Sequence, residues 1–212
     1  HGSHGQMQRS KSTRPLPIDV IIETNTWCPI RANPPAHLMP TRCVFPASSE
    51  FTTRTTGILV AVPRLLIVHH SPTARVRAIA DAVLAGAHHE DLTSVEVVER
   101  AALEATVDDV LAADGYVFGT TANFGYLSGA LKHFFDTTYY ETREVIAGRP
   151  FGYWIHGSHD TTGAEQAMRA ITKGYGLRLA AAPLVFTANA DASHLEAAAD
   201  LGATLAAGLL EV

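Results

Sequence analysis

The chain has 212 residues, 47% of them hydrophobic, and a formal net charge of −5, which suits one domain of ordinary size plus an appendage. No apolar run approaches the ~18 residues a membrane span requires, and no basic segment followed by an apolar one opens the chain, so neither a membrane span nor a secretory signal is expected. A cytoplasmic location is the expectation. Cys28 and Cys43 are the only cysteines; they could pair, but two make neither a disulfide framework nor a zinc site.

The chain divides near Val62. Residues 1–62 read as a leader, with Pro15, Pro17, Pro29, Pro34, Pro35, Pro40 and Pro46 set among Ser, Thr and Arg, a composition expected to be poorly ordered or upstream-derived. Its first residues, His-Gly-Ser-His-Gly-Gln, look like a vector remnant, and a natural start at Val62 is expected. Residues 63–212 hold 10 Lys/Arg against 18 Asp/Glu, whereas residues 1–62 hold 6 against 3. A folded part this acidic is a poor nucleic-acid binder.

From Arg64 the order is regular. Leu65 to Val68 is a continuous apolar run, the pattern of a strand buried on both faces. The spacing of Val76, Ile79, Ala80, Val83 and Leu84 predicts a helix over 74–87, with Gly86 at its stop. A second strand is predicted at 95–98, then a helix started by Thr106 and Asp109, a third strand at 116–119, and a helix over about 127–140. Phe151 to Ile155 is the fourth strand. Thr162 with Glu165 has the capping-box pattern for a helix ending around Gly174 and Gly176, Leu177 to Phe186 the fifth strand, and Ser193 with Glu196 the same pattern before a terminal helix to about Leu210. Strands alternating with helices predict an α/β fold, a three-layer doubly wound five-stranded parallel sheet.

Two stretches carry chemistry. After the first strand, Ser71-Pro72-Thr73-Ala74-Arg75-Val76 has hydroxyls and none of the glycines of a dinucleotide-binding turn. Hydroxyls at a helix N-terminus suit a terminal phosphate, held by O–H and backbone N–H donors and the helix dipole; capping alone by Ser71 and Thr73 is the plainer reading. After the third strand, Thr121-Ala122-Asn123-Phe124-Gly125-Tyr126-Leu127-Ser128-Gly129-Ala130-Leu131-Lys132-His133-Phe134-Phe135-Asp136 passes from a loop of small and aromatic residues into helical spacing. Lys132 and Asp136, one turn apart, read as a surface pair, and Tyr153 and Trp154 as core or interface residues. His69 and His70 are adjacent on a strand and point to opposite faces; no metal site is expected from them or from His156 with His159.

On these two stretches, residues 64 to 210 resemble the flavodoxin-like FMN-binding proteins, and within them the NAD(P)H-dependent FMN or quinone reductases. The resemblance implies strand order 2-1-3-4-5 with FMN at the switch point between the first and third strands. It places the FMN phosphate on Ser71, Thr73, Ala74, Arg75 and Val76, although Ala74 stands where the family usually has glycine and Val76 where it has threonine. It places the isoalloxazine among Thr121, Ala122, Asn123, Phe124, Gly125 and Tyr126, with Gly157, Ser158 and His159 on the other side. His159 would stabilise a reduced anionic ring or donate a proton to a quinone oxygen. The implied function is an FMN-dependent oxidoreductase passing electrons from NAD(P)H to a quinone-like or flavin acceptor, with no catalytic side chain required because the cofactor carries the chemistry. The resemblance also implies a homodimer or homotetramer. The alternatives are a flavodoxin-type electron carrier docking to a redox protein, and a flavodoxin-fold binding protein that has lost FMN.

Overall fold

The computed structural model describes residues 62–187 and 189–211; the expected leader up to residue 61 and both cysteines lie outside them. The elements run β1 (Arg64–His69), α1 (Ala74–Ala87), a single 3-10 turn (Glu90–Leu92), β2 (Glu96–Ala101), α2 (Val107–Ala112), β3 (Gly115–Asn123), β4 (Tyr126–Leu127), α3 (Gly129–Thr142), β5 (Pro150–Gly157), α4 (Thr162–Gly174), β6 (Arg178–Leu179), β7 (Leu184–Phe186) and α5 (Ala192–Gly208). The sheet order is β2-β1-β3-β5-β6, with β7 also on β5 and β4 folded back on β3. All pairings are parallel except β3 with β4. This is the expected order.

Strand alternation divides the core into two layers. Leu66, Val68, Tyr116, Phe118, Phe151, Tyr153 and Ile155 face α2, α3 and α4, where Val110, Leu131, Phe134, Phe135 and Met168 meet them. Leu65, Ile67, Val117 and Trp154 face α1 and α5, meeting Val76, Ile79, Val83, Leu201 and Leu205. Tyr153 and Trp154 are therefore both core residues, on opposite faces of one strand. Each fully buried large aliphatic or aromatic side chain contributes about 1.5–3 kcal/mol.

Three local expectations change, while α1 ends where expected, with Gly86 in its last turn. A Cβ at Gly86 would come within 1.9 Å of the Ala199 carbonyl oxygen, and one at Gly202 within 2.0 Å of that of Val83. These two glycines let α1 and α5 approach backbone to backbone. Thr162 does not cap α4. Asp160 Oδ1 accepts from the Thr162 N–H at 3.0 Å and from its hydroxyl at 2.8 Å, while Thr161 donates to Glu165 at 3.1 Å. The terminal helix is capped two residues earlier than Ser193, by Asp191 in a reciprocal box with His194. The fifth strand comes in two short pieces, β6 and β7, both on β5; Pro183, lacking an N–H, interrupts the ladder between them. The Thr106–Asp109 box and the turn at Gly176, with φ 71°, stand where expected. Among the described residues no helix is long and apolar enough to cross a membrane.

Candidate functional site

A cleft of about 570 Å³ opens at the carboxyl ends of the central strands. Pro72, Thr73, Ala74, Arg75 and Val76 line one side; Thr121, Ala122, Asn123, His156 and Ser158 line the other. β1 and β3 are neighbours, and the chain leaves them in opposite lateral directions to β2 and β5, so this is the crevice where strand order reverses.

The α1 side is a set of donors. Thr73 is the N-cap, its hydroxyl 3.4 Å from the Val76 N–H, and the first helical N–H groups have no partner within the helix. They face the cleft with the positive end of the helix dipole. The Arg75 guanidinium reaches across to the side-chain oxygen of Asn189. Val76 is buried in the layer beneath α1 and offers only its backbone to a ligand. Ser71 lies immediately before the lining residue Pro72, at the cleft's rim, with its hydroxyl 2.9 Å from His69 Nδ1.

The β3 side is a hairpin. Asn123 pairs with Tyr126, and the two residues between them both have positive φ, Phe124 at 52° and Gly125 at 73°, the backbone of a type I′ turn. Gly125 adopts this without cost, whereas for a phenylalanine it costs about 1–3 kcal/mol. Phe124 is nonetheless held there with its ring fully exposed. The hairpin is fixed from behind: buried Thr120 Oγ1 lies 3.0 Å from Ser128 Oγ and 3.2 Å from the Ser128 N–H, and Ser128 in turn caps α3. Thr121 Oγ1, by contrast, is buried on the cleft side without a hydrogen-bond partner.

The third wall comes from the end of β5. His156 is level with Thr121 across the β3–β5 ladder and packs edge-on to Phe186 at 5.1 Å. Gly157 is buried, Ser158 lines the cleft, and His159 is exposed beyond the lining residues. Phe124, Gly125 and Tyr126 project at the hairpin tip rather than along the cleft wall. Sequence reasoning passed over Pro72 and His156 as cleft residues. The signal for His156 was its alternation with buried Trp154, which puts it on the α1 face.

The residues present fit a phosphorylated, planar, polar-edged group. First-turn helix amides, the Thr73 hydroxyl and Arg75 suit an anion, and the orphaned Thr121 hydroxyl and the backbone of Ala122 and Asn123 suit a ring with donors and acceptors on its edge. The volume lies within the ~300–1,000 Å³ of small-ligand sites.

Comparison with known proteins agrees with this geometry. The family model described as NADPH-dependent FMN reductase matches residues 68–192, more than half of the chain. A quinone-oxidoreductase QR2 from Triphysaria versicolor is 32% identical over 94 residues, covering 43% of this chain and 45% of that protein. A flavodoxin from Aquifex aeolicus is 36% identical over 73 residues, covering 34% and 38%. The chain thus spans less than half the length of these two curated relatives. In structure it is similar to a flavodoxin, WrbA-like protein from Agrobacterium tumefaciens, with TM-score 0.58 at 21% identity, covering 70% of this chain and 98% of that one. With switch-point cleft, hairpin and helix N-terminus all within the matched stretch, the chain belongs to the NADPH-dependent FMN reductase family, on a flavodoxin-like fold.

Proposed function

We propose that the protein is an FMN-dependent oxidoreductase that passes electrons from NAD(P)H to a quinone-like or flavin acceptor. The observation that carries this reading is the cleft itself, with α1 donors facing the β3 hairpin across the switch point. Ser71, Thr73 and the backbone of Ala74, Arg75 and Val76 would hold the phosphate. Thr121, Ala122 and Asn123 would bond the polar edge of the ring, and Phe124, Gly125 and Tyr126 would bound its outer end. Gly157, Ser158 and His159 form the loop opposite, and His156 adds a wall. FMN, when bound, accepts hydride from the nicotinamide and delivers electrons to the acceptor.

The protein's own part is to bind, orient and leave one face open. An exposed aromatic at a strained hairpin tip suits contact with a planar acceptor or with a second copy of the chain, in keeping with a homodimer or homotetramer. The reading includes a cytoplasmic location. A flavodoxin-type electron carrier is the second reading, favoured by the acidic surface and the Aquifex aeolicus flavodoxin relative. Steady NAD(P)H oxidation that depends on added FMN and a quinone supports the reductase. FMN binding with no turnover of any nicotinamide–quinone pair assigns the protein to the carriers instead.

A further inference from the structure

His69 is buried, 4% exposed, and touches none of the groups assigned above to the ring. Its Nδ1 is 2.9 Å from Ser71 Oγ and its Nε2 is 2.9 Å from Glu99 Oε1. A carboxylate can only accept, so Nε2 carries a proton. Nδ1 then has two states with opposite consequences for Ser71. Without a proton, Nδ1 accepts the Ser71 hydroxyl hydrogen, and Ser71 turns only lone pairs outward. With a proton, Nδ1 donates to Ser71 Oγ, and the Ser71 O–H is free to point at an anion.

Charged groups from β2 and α1 meet at His69. Glu99 on β2 is bonded by Arg77 of α1 at 2.6 Å, and Arg77 also bonds Asp81 at 2.6 Å. Burial opposes ionisation of Glu99, but the hydrogen bonds from His69 and Arg77 outweigh it and hold its carboxyl below the usual range. Glu99, Asp81 and Arg77 together carry one net negative charge, which a proton on His69 neutralises. From β3 Gly119 lies level with His69. His70, next in the chain, is held below the usual histidine range by burial and then by His69. Arg100 turns to Asp109 instead.

We propose that Glu99 and His69 are positioning residues that aim the Ser71 hydroxyl at a phosphate group, so that the protein takes up a proton on binding FMN and discriminates FMN from riboflavin by that step. This rests on the FMN reading above. The proton comes from solvent to His69 Nδ1, the Nδ1–H bonds to Ser71 Oγ, and the Ser71 O–H donates to a phosphate oxygen; no covalent bond to the ligand forms or breaks. Riboflavin, without the phosphate, calls for none of this.

The test titrates the full chain, freed of flavin, with FMN and with riboflavin by fluorescence quenching at about pH 7 and about pH 9, a range in which the phosphate charge is nearly constant and a proton held on a histidine by a bound anion is lost, with riboflavin as the control for every other group that titrates there. Calorimetry in two buffers of different ionisation enthalpy counts the protons. The expected result is an FMN affinity falling by roughly threefold to tenfold over that range beyond any change for riboflavin, in line with one charge-assisted hydrogen bond. Ser71→Ala removes this extra pH dependence and the proton uptake while leaving riboflavin affinity unchanged. Glu99→Gln lowers FMN affinity and proton uptake but not riboflavin affinity, and retained riboflavin binding shows that each variant is folded. If Glu99→Gln does not fold, Ser71→Ala decides alone. FMN and riboflavin with the same pH dependence, or an FMN-specific dependence that survives in Ser71→Ala, overturns this inference and leaves the FMN reading standing. Failure of the unaltered protein to bind FMN overturns both.

Discussion

Phe124 and Tyr175 show how single residues are set by opposite demands. Phe124 has φ 52° and a fully exposed ring, so nothing in the fold repays its backbone strain. Phe124→Asn gives the Asn-Gly pair that a type I′ turn favours, and is expected to raise unfolding stability by about 1 kcal/mol in a denaturant titration. If the ring meets the cofactor or acceptor, the same change lowers acceptor turnover. Tyr175 is wholly structural: its hydroxyl donates to the Phe135 carbonyl at 2.8 Å and lies 2.8 Å from Thr138 Oγ1. Burial pushes it up to about 12, so it favours the fold fully below the ordinary tyrosine value near 10. That contribution drains away as pH rises from there towards the folded value. Tyr175→Phe is expected to lose about 1–2 kcal/mol at neutral pH and to show a shallower alkaline loss in melting experiments. Phe124 was legible from its Phe-Gly motif, but its strain was not, because φ depends on the register of β4 on β3. The link from Ser71 through His69 to Glu99 was also hidden. It joins residues on two strands, and only their pairing brings them within 3 Å.

At the level of elements, periodicity located the helices and main strands, whereas their ends depended on competition between neighbouring side chains. Asp160 outcompeted Thr162, and Asp191 outcompeted Ser193, because carboxylates reach the first-turn N–H groups as charged acceptors. Gly86 marks the last turn of α1 as expected, but its packing role came only with the tertiary structure. α1 and α5 cross so closely at Gly86 and Gly202 that a methyl group on either would strike the other helix's backbone. Gly202→Ala, although alanine is the better helix former, is therefore expected to destabilise the protein by about 1–3 kcal/mol, read as a lower denaturation midpoint with unchanged slope. An increase in stability would show that the two helices can part without cost.

For the molecule as a whole, the alternation of apolar strands and amphipathic helices was enough for the three-layer parallel sheet, while the two loops after β1 and β3 carried the family resemblance, which implied the sheet order. Their juxtaposition across one cleft follows from that order, since β1 and β3 are neighbours whose connections diverge. What remained out of reach was the third wall. His156 lies level with Thr121 only through the β3–β5 register. The most direct measurement is a spectrum of the purified protein before and after addition of FMN, followed by removal of free ligand. The account predicts a flavin band near about 450 nm that stays with the protein and is lost when Thr73→Ala and Thr121→Ala are combined in a folded variant. A folded, unaltered protein that retains no FMN at micromolar concentration would contradict it.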